Sequence, residues 1–328
     1  MQKKITWVLA HEPYNLFLKA ATQFSKDIAE GTNGRYSIDV IGLDEWNQRS
    51  DKRITTHADD RAKVVGLVDS GAIDMATVYV NTLGNIDKNM WVLSMPFLFD
   101  GHDQAEKVID GAVGQELFAR LADKSNIKGL AFTYSGGFRM IPSKNAIESI
   151  DDFYNLTIRT GQNPVAQDTF KALGANPVGM LIDQFRDAMN SQEVQAGETT
   201  YPRFFSMGHH EQAKFINHTE HSLFLTSIVM NKKLWADMSV EDQQVFAEAA
   251  TRAAKIERAE SLADIAITQA KAAAMNIPTV KMSAAERARF VSATKTIYGK
   301  YDTFFDSGVL NAVTSIHWNK QLGIHESS

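Results

Sequence analysis

The chain has 328 residues, 44% of them hydrophobic and 22% charged, with 34 Lys+Arg against 39 Asp+Glu for a formal net charge of −5. This is the balance of a globular protein with room for about two domains, and without a dense basic block it argues against nucleic acid or an anionic membrane as the main partner. Cysteine is absent, which excludes thiol catalysis, disulfides and Cys-based zinc sites.

Along the chain, Ile5–Leu9 reads as a strand, followed by a loop carrying His11, Glu12 and Pro13. Phe17, Ala20, Ala21, Phe24 and Ile28 then mark one face of an amphipathic helix that Gly31 and Gly34 stop. Tyr36, Ile38 and Val40 alternate as a second strand. A helix around Val64–Val68 leads to a strand over Ile73–Tyr79, and a helix around Asp103–Ala122 leads to a strand over Ile127–Tyr134. Strands alternating with helices predict a mainly parallel sheet covered on both faces.

Gly136–Gly137 reads as a hinge or turn, after which the rhythm restarts. Phe138–Ile141, Leu156–Arg159, Pro177–Met180 and Val194–Gly197 are its strands, and Leu223–Met230 is an apolar run returning toward the first half. Within Leu156–Arg159 the alternation predicts a half-buried strand with Arg159 at its tip. Ala166, Phe170 and Leu173 share a face of the next helix, with Pro164 in its first turn and Gly174 at its end. From Ser239 to about Met275 there is neither Pro nor Gly, Ser239 is an N-cap, and Glu241 and Asp242 suit the helix dipole. A helix this long spans on the order of 50 Å at 1.5 Å per residue. Its seam is mostly Ala, interrupted by Glu260, which disfavours a coiled coil and favours one helix laid across both domains.

No nucleophile elbow, phosphate loop or dinucleotide fingerprint is present. His209, His210, His218 and His221 are the densest histidine cluster. His218 and His221 would share a face if helical, but no carboxylate stands at a metal spacing, so these read as surface or turn residues. Asp59 and Asp60 read most simply as charges at the start of the Val64 helix; Asp60 is also kept as a candidate ligand contact. Arg159 carries a planar fork of donors suited to gripping a carboxylate. A solvent-facing Arg is the plainer alternative from that segment alone.

Read together, GAIDMATVYVNTLG (Gly71–Gly84), MPFLFDGHDQAEKVIDG (Met95–Gly111), KGLAFTYSGGFRMIPSKNAI (Lys128–Ile147), LTIRTGQNPVAQDTFKALGANPVGM (Leu156–Met180), AMNSQEVQAGETTYP (Ala188–Pro202) and LWADMSVEDQQVFAEAA (Leu234–Ala250) resemble, in order and over most of the chain, the solute-binding subunit of tripartite ATP-independent periplasmic (TRAP) transporters, the DctP-type family. The resemblance implies an α/β, periplasmic-binding-protein-like fold of two domains with a ligand cleft between them and one long helix spanning both. Domain I would comprise 1–135 and about 224–260, and domain II 136–223 and about 261–328.

The resemblance further implies that Arg159 forms a bidentate pair with a ligand carboxylate, that Arg139 of the GFR segment adds a contact, and that His11, Glu12 and Tyr79 are contact positions. Glu198 of the family's pattern is retained, whereas Thr199 stands where relatives often carry Asn, so the far half of the ligand is expected to be read differently. The implied function is capture of a small organic acid and delivery to TRAP permease subunits, by a monomer in the periplasm with no cofactor, no metal and no catalysis. A two-domain enzyme acting on such an acid is the alternative, since fold alone never assigns function.

Overall fold

The computed structural model describes residues 2–54 and 58–321, with the side chains of 58–62 and 316–321 outside the description. Among the described residues eleven strands form two sheets: β1 (Lys3–Leu9), β2 (Tyr36–Gly42), β3 (Met75–Tyr79), β4 (Ile127–Phe138), β5 (Ile141–Ser143), β6 (Thr157–Thr160), β7 (Asn176–Gly179), β8 (Ala196–Gly197), β9 (Phe215–His218), β10 (Leu223–Asn231) and β11 (Thr279–Lys281). The chain divides into two compact units. One comprises Met1–Asp87, Gly114–Ser135 and Leu225–Leu262; the other comprises Lys88–Val113, Gly136–Phe224 and Ala263–Ser328.

The first sheet runs β2-β1-β3-β10-β4. Strand β1 pairs in parallel with β2 and β3, as helical crossovers between strands require. Strand β10, all nine of its residues buried, runs antiparallel to β3 and makes the sheet mixed rather than mainly parallel. The helix Tyr14–Gly31 lays Phe17, Ala20, Ala21, Phe24 and Ile28 on this sheet, and its core includes Ile5, Trp7, Phe246, Ala249 and Ala253. Trp7 meets Phe24 edge-on at 5.0 Å, and its indole N–H donates to the Thr77 hydroxyl at 3.1 Å, which satisfies the one polar atom this large ring buries.

The second sheet runs β11-β9-β5-β8-β6-β7. It is mixed too: β6 is parallel to β7 and β8, while β5 is antiparallel to β8 and β9. Phe153, Ile158, Phe170, Leu173 and Phe290 form the core beside it. The helix Pro164–Ala172 begins as the sequence predicts. Asn163 caps it by accepting from the Val165 N–H at 2.8 Å, Pro164 sits in its first turn, and Gly174 takes φ +91° just past its end.

The expected long helix is continuous over Val240–Ala274, 35 residues, with the Ser239 hydroxyl accepting from the Asp242 N–H at 3.1 Å. The chain passes from one unit to the other inside it.

Several expectations are corrected. Gly136 and Gly137, at φ +91° and +69°, lie within β4 and not in a turn between strands. A Cβ on Gly136 would stand 2.4 Å from Pro202, so the strand itself needs glycine there. The single helix expected at Asp103–Ala122 is two, His102–Ile109 and Ala112–Lys124, separated near Gly111. The strands expected at Phe138–Ile141 and Val194–Gly197 are shorter or shifted, because Met140 makes only an isolated bridge to Thr199 and β8 is two residues long. His218 lies on β9 and His221 follows it in a loop, so the two share no helical face.

Candidate functional site

Arg159 is 6% exposed. The half-buried alternation expected of its strand is replaced by three consecutive buried residues, Ile158, Arg159 and Thr160, and the solvent-facing alternative fails. Strands β7 and β8 flank β6 with Arg159 in register with Val178 and Gly197. Its Nε donates to the Met180 carbonyl at 2.9 Å and its Nη1 to the Glu198 carbonyl at 3.1 Å. Met180 is held in turn by its own N–H on the Thr160 carbonyl at 3.1 Å. Two backbone oxygens from two neighbouring segments thus orient the guanidinium plane, and neither neutralises its charge. Gly197 is required beside it, since a Cβ there would stand 2.4 Å from the buried Phe185 ring.

While the Glu198 carbonyl serves Arg159, its carboxylate serves others. Oε1 accepts the Gly161 N–H at 3.0 Å; Oε2 lies 3.3 Å from His221 Nε2 and 3.5 Å from Arg139 Nε. Met140 and Thr199 exchange backbone hydrogen bonds at 2.9 and 3.0 Å, which brings Arg139 and Glu198 together from either side of that pair. Burial by itself would raise the Glu198 carboxyl. The charge of Arg139, the hydrogen bond from His221 and the Gly161 N–H overcome it and hold the group well below the usual carboxylate range. Burial lowers the His221 imidazole, only partly opposed by Glu198. We therefore assign a neutral ring whose Nε2–H donates to Glu198 and whose Nδ1 accepts the Thr219 hydroxyl at 2.8 Å. Arg139 is the full positive charge that keeps Glu198 ionised.

The guanidiniums of Arg139 and Arg203 stand 4.3 and 5.3 Å from the centre of the Phe224 ring, a cation–π arrangement. Arg203 is 5% exposed, so three buried guanidiniums belong to this one unit. Thr199 is fully buried and its hydroxyl has no hydrogen-bond partner. His209 is likewise buried against Phe185, both ring nitrogens without a partner, and burial among cations including Arg203 and Arg159 keeps its ring neutral.

Of the residues expected from the sequence, Arg159, Arg139, Glu198 and Thr199 are thus brought together in the second unit. His11, Glu12 and Tyr79 belong to the first. His11 is buried at the end of β1, with ring centroids 5.8 Å from Phe17 and 6.2 Å from Tyr79 at the end of β3. The Glu12 carbonyl accepts the Ser135 hydroxyl at 3.3 Å, and the Asn81 amide donates to the Tyr79 hydroxyl at 2.5 Å. Asp60 lies outside the residues whose side chains are described. Sequence reasoning missed His221 and Arg203, and placed His209 and His221 at the surface or in turns, whereas both are buried. The available signal for His221 was its place two residues before β10, the strand that begins with the apolar run Leu223–Leu225. No group of His, Asp and Glu suited to a metal ion occurs among the described residues.

Two mixed sheets in two α/β units, with a buried arginine pinned at a strand end, have the fold of solved TRAP periplasmic solute-binding proteins. One such protein from Ochrobactrum anthropi matches with a TM-score of 0.85 over 99% of both chains at 21% identity. Another, from Chromohalobacter salexigens with bound D-glucuronate, gives 0.81 at 25% identity over 95% of this chain and 98% of that one. The 2,3-diketo-L-gulonate-binding periplasmic protein YiaO of Escherichia coli K12 is 30% identical over 239 residues, 73% of this chain and 69% of that one. The chain belongs to the DctP family, bacterial extracellular solute-binding protein family 7, whose pattern spans residues 10–303.

Proposed function

We propose that this protein captures a small organic acid in the periplasm by pairing its carboxylate with Arg159, and hands it to the permease subunits of a TRAP transporter. The observation that carries the reading is the buried guanidinium of Arg159, oriented by the carbonyls of Met180 and Glu198. A fork held in one plane gives up little rotamer entropy when a carboxylate arrives, and in a site of low dielectric the charged pair is stronger than at the surface. The carboxylate of Glu198 is occupied by Arg139, His221 and Gly161, which supports Arg139 as the residue that positions Glu198, and Glu198 in turn as the support of Arg159. Sugar acids are favoured because solved relatives carry them: D-glucuronate in the Chromohalobacter protein and L-gulonate in one from Haemophilus influenzae.

The test is calorimetric titration of protein unfolded and refolded to strip retained ligand, with D-glucuronate, D-galacturonate, L-gulonate and short dicarboxylates. Arg159→Ala should weaken binding by about 30- to 1,000-fold, the effect of leaving a buried charge unpaired. Arg159→Lys should also bind poorly, since an ammonium cannot reproduce two parallel bonds. Unchanged affinity in Arg159→Ala would refute the assignment.

A further inference from the structure

Of the five places where the chain crosses between its units, three are at 135/136 on β4, at 224/225 on β10 and at 262/263 in the long helix. Within a few residues of these exits, on the side of the first unit, buried polar groups tie all three segments together. The Thr226 hydroxyl of β10 donates to the Tyr134 carbonyl of β4 at 3.0 Å and lies 2.6 Å from the Thr133 hydroxyl. The Tyr134 N–H donates to Glu257 Oε2 of the long helix at 2.6 Å, and the Ser261 hydroxyl lies 2.6 Å from Glu257 Oε1. Arg258, one residue on, donates from Nη2 to the Phe132 carbonyl at 2.7 Å, with its guanidinium 5.5 Å from the Tyr134 ring centre. Glu257 is 1% exposed and Ser261 fully buried.

We propose that Glu257 is a proton-operated clamp that fastens the long helix to β4 where both leave the first unit, firm while its carboxyl holds a proton and loosened when it ionises. Oε2 accepts the Tyr134 N–H and Oε1 accepts the Ser261 hydroxyl; a protonated carboxyl keeps both contacts by turning the second bond round, its O–H on Oε1 donating to Ser261, while the bond from Ser261 is the stronger one to the ionised form. Ionisation leaves both bonds possible but sets a negative charge in a site closed to water. The charged group acting on it is Arg258 of its own helix; β4 and β10 contribute only the Tyr134 amide and neutral hydroxyls among the described residues. Burial outweighs the opposing Ser261, Tyr134 and Arg258 interactions and pushes the carboxyl from 4.5 up to about 8. The sign follows: an opened clamp, exposed to water, loses its proton near the ordinary value, whereas the closed one keeps it to about pH 8. Closure therefore weakens about tenfold per pH unit across that window and levels off above it.

The experiment is amide hydrogen exchange of the intact chain at several pH values, read as protection factors. For the Tyr134 amide we expect a fall of about 100-fold between pH 5.5 and 7.5 and a plateau beyond about pH 8. Glu257→Gln, permanently neutral, should hold that protection constant. Ser261→Ala removes a bond that lowers the carboxyl and should move the plateau to higher pH, keeping the test open even if the glutamine variant folds poorly. Constant Tyr134 protection in the wild type, an unmoved plateau in Ser261→Ala, or an equal fall at β1 amides such as Trp7, which would report global opening, overturns the clamp.

Discussion

Replacing Glu198 by Gln isolates the charge at the centre of the candidate site. The amide keeps the volume and an oxygen for the Gly161 N–H, but it leaves Arg139, 6% exposed, without the carboxylate that faces its Nε at 3.5 Å. Breaking a buried ion pair from one side costs about 3–5 kcal/mol, because the remaining guanidinium, taken out of water, faces a neutral amide in place of a carboxylate. In a unit of this size that corresponds to a fall in Tm of roughly 6–20 °C, at about 2–4 °C per kcal/mol. The folded carboxyl lies below its ordinary 4.5. Its stabilisation is therefore complete above that value and is lost as pH falls through the depressed one, at up to about 1.4 kcal/mol per pH unit. Scanning calorimetry of wild type and Glu198→Gln from pH 7 down to pH 3 should show a gap that narrows with acid. Adding Arg139→Met to Glu198→Gln should recover part of the loss by removing the stranded charge. Equal stability at pH 7, within about 0.5 kcal/mol, would mean that this cluster does not support the second unit.

Gly197→Ala should cost about 1–3 kcal/mol by overpacking and weaken acid binding, because the added Cβ meets Phe185 at 2.4 Å beside Arg159. Gly66→Ala, with nothing within 4 Å of the new carbon, is the matched control and should stabilise the protein by up to about 1 kcal/mol; urea unfolding of the pair reads both. Thr77→Val keeps the shape but leaves the Trp7 indole N–H unsatisfied. A loss of about 1–3 kcal/mol is expected, with indole exchange as the direct reporter.

Much of the secondary structure was legible because it is written in local patterns. The Phe17–Ile28 face, Pro164 in the first helical turn, Gly174 at the helix end and the Pro- and Gly-free stretch after Ser239 each state their element through nearest neighbours alone. The two-domain α/β class followed from the family resemblance and the matching solved folds. Strand direction was not legible: β10 has the same apolar composition whether it runs with or against β3, and the register that makes both sheets mixed depends on partners distant in sequence. Of the two readings of Gly136–Gly137, the turn fails because both glycines lie within β4, while the chain does change units at 135/136; a positive φ can serve a turn or a close approach, and the neighbour Pro202 distinguishes them.

The candidate site divides along the same line. By itself the sequence determined that a guanidinium stands at the end of β6 and that Glu198 and Thr199 follow β8, because each is a matter of position along one strand, whereas Arg139, expected inside a strand, follows β4. Only the tertiary structure decided that Arg159 is buried, that Met180 and Glu198 orient it through their carbonyls, and that Arg139 and a neutral His221 converge on one carboxylate. Burial and charge are properties of a neighbourhood. Residues 139, 159, 198 and 221 become neighbours only when four separate segments fold against one another, and it is that closeness, with water excluded, that lowers the Glu198 carboxyl and keeps the His221 ring neutral.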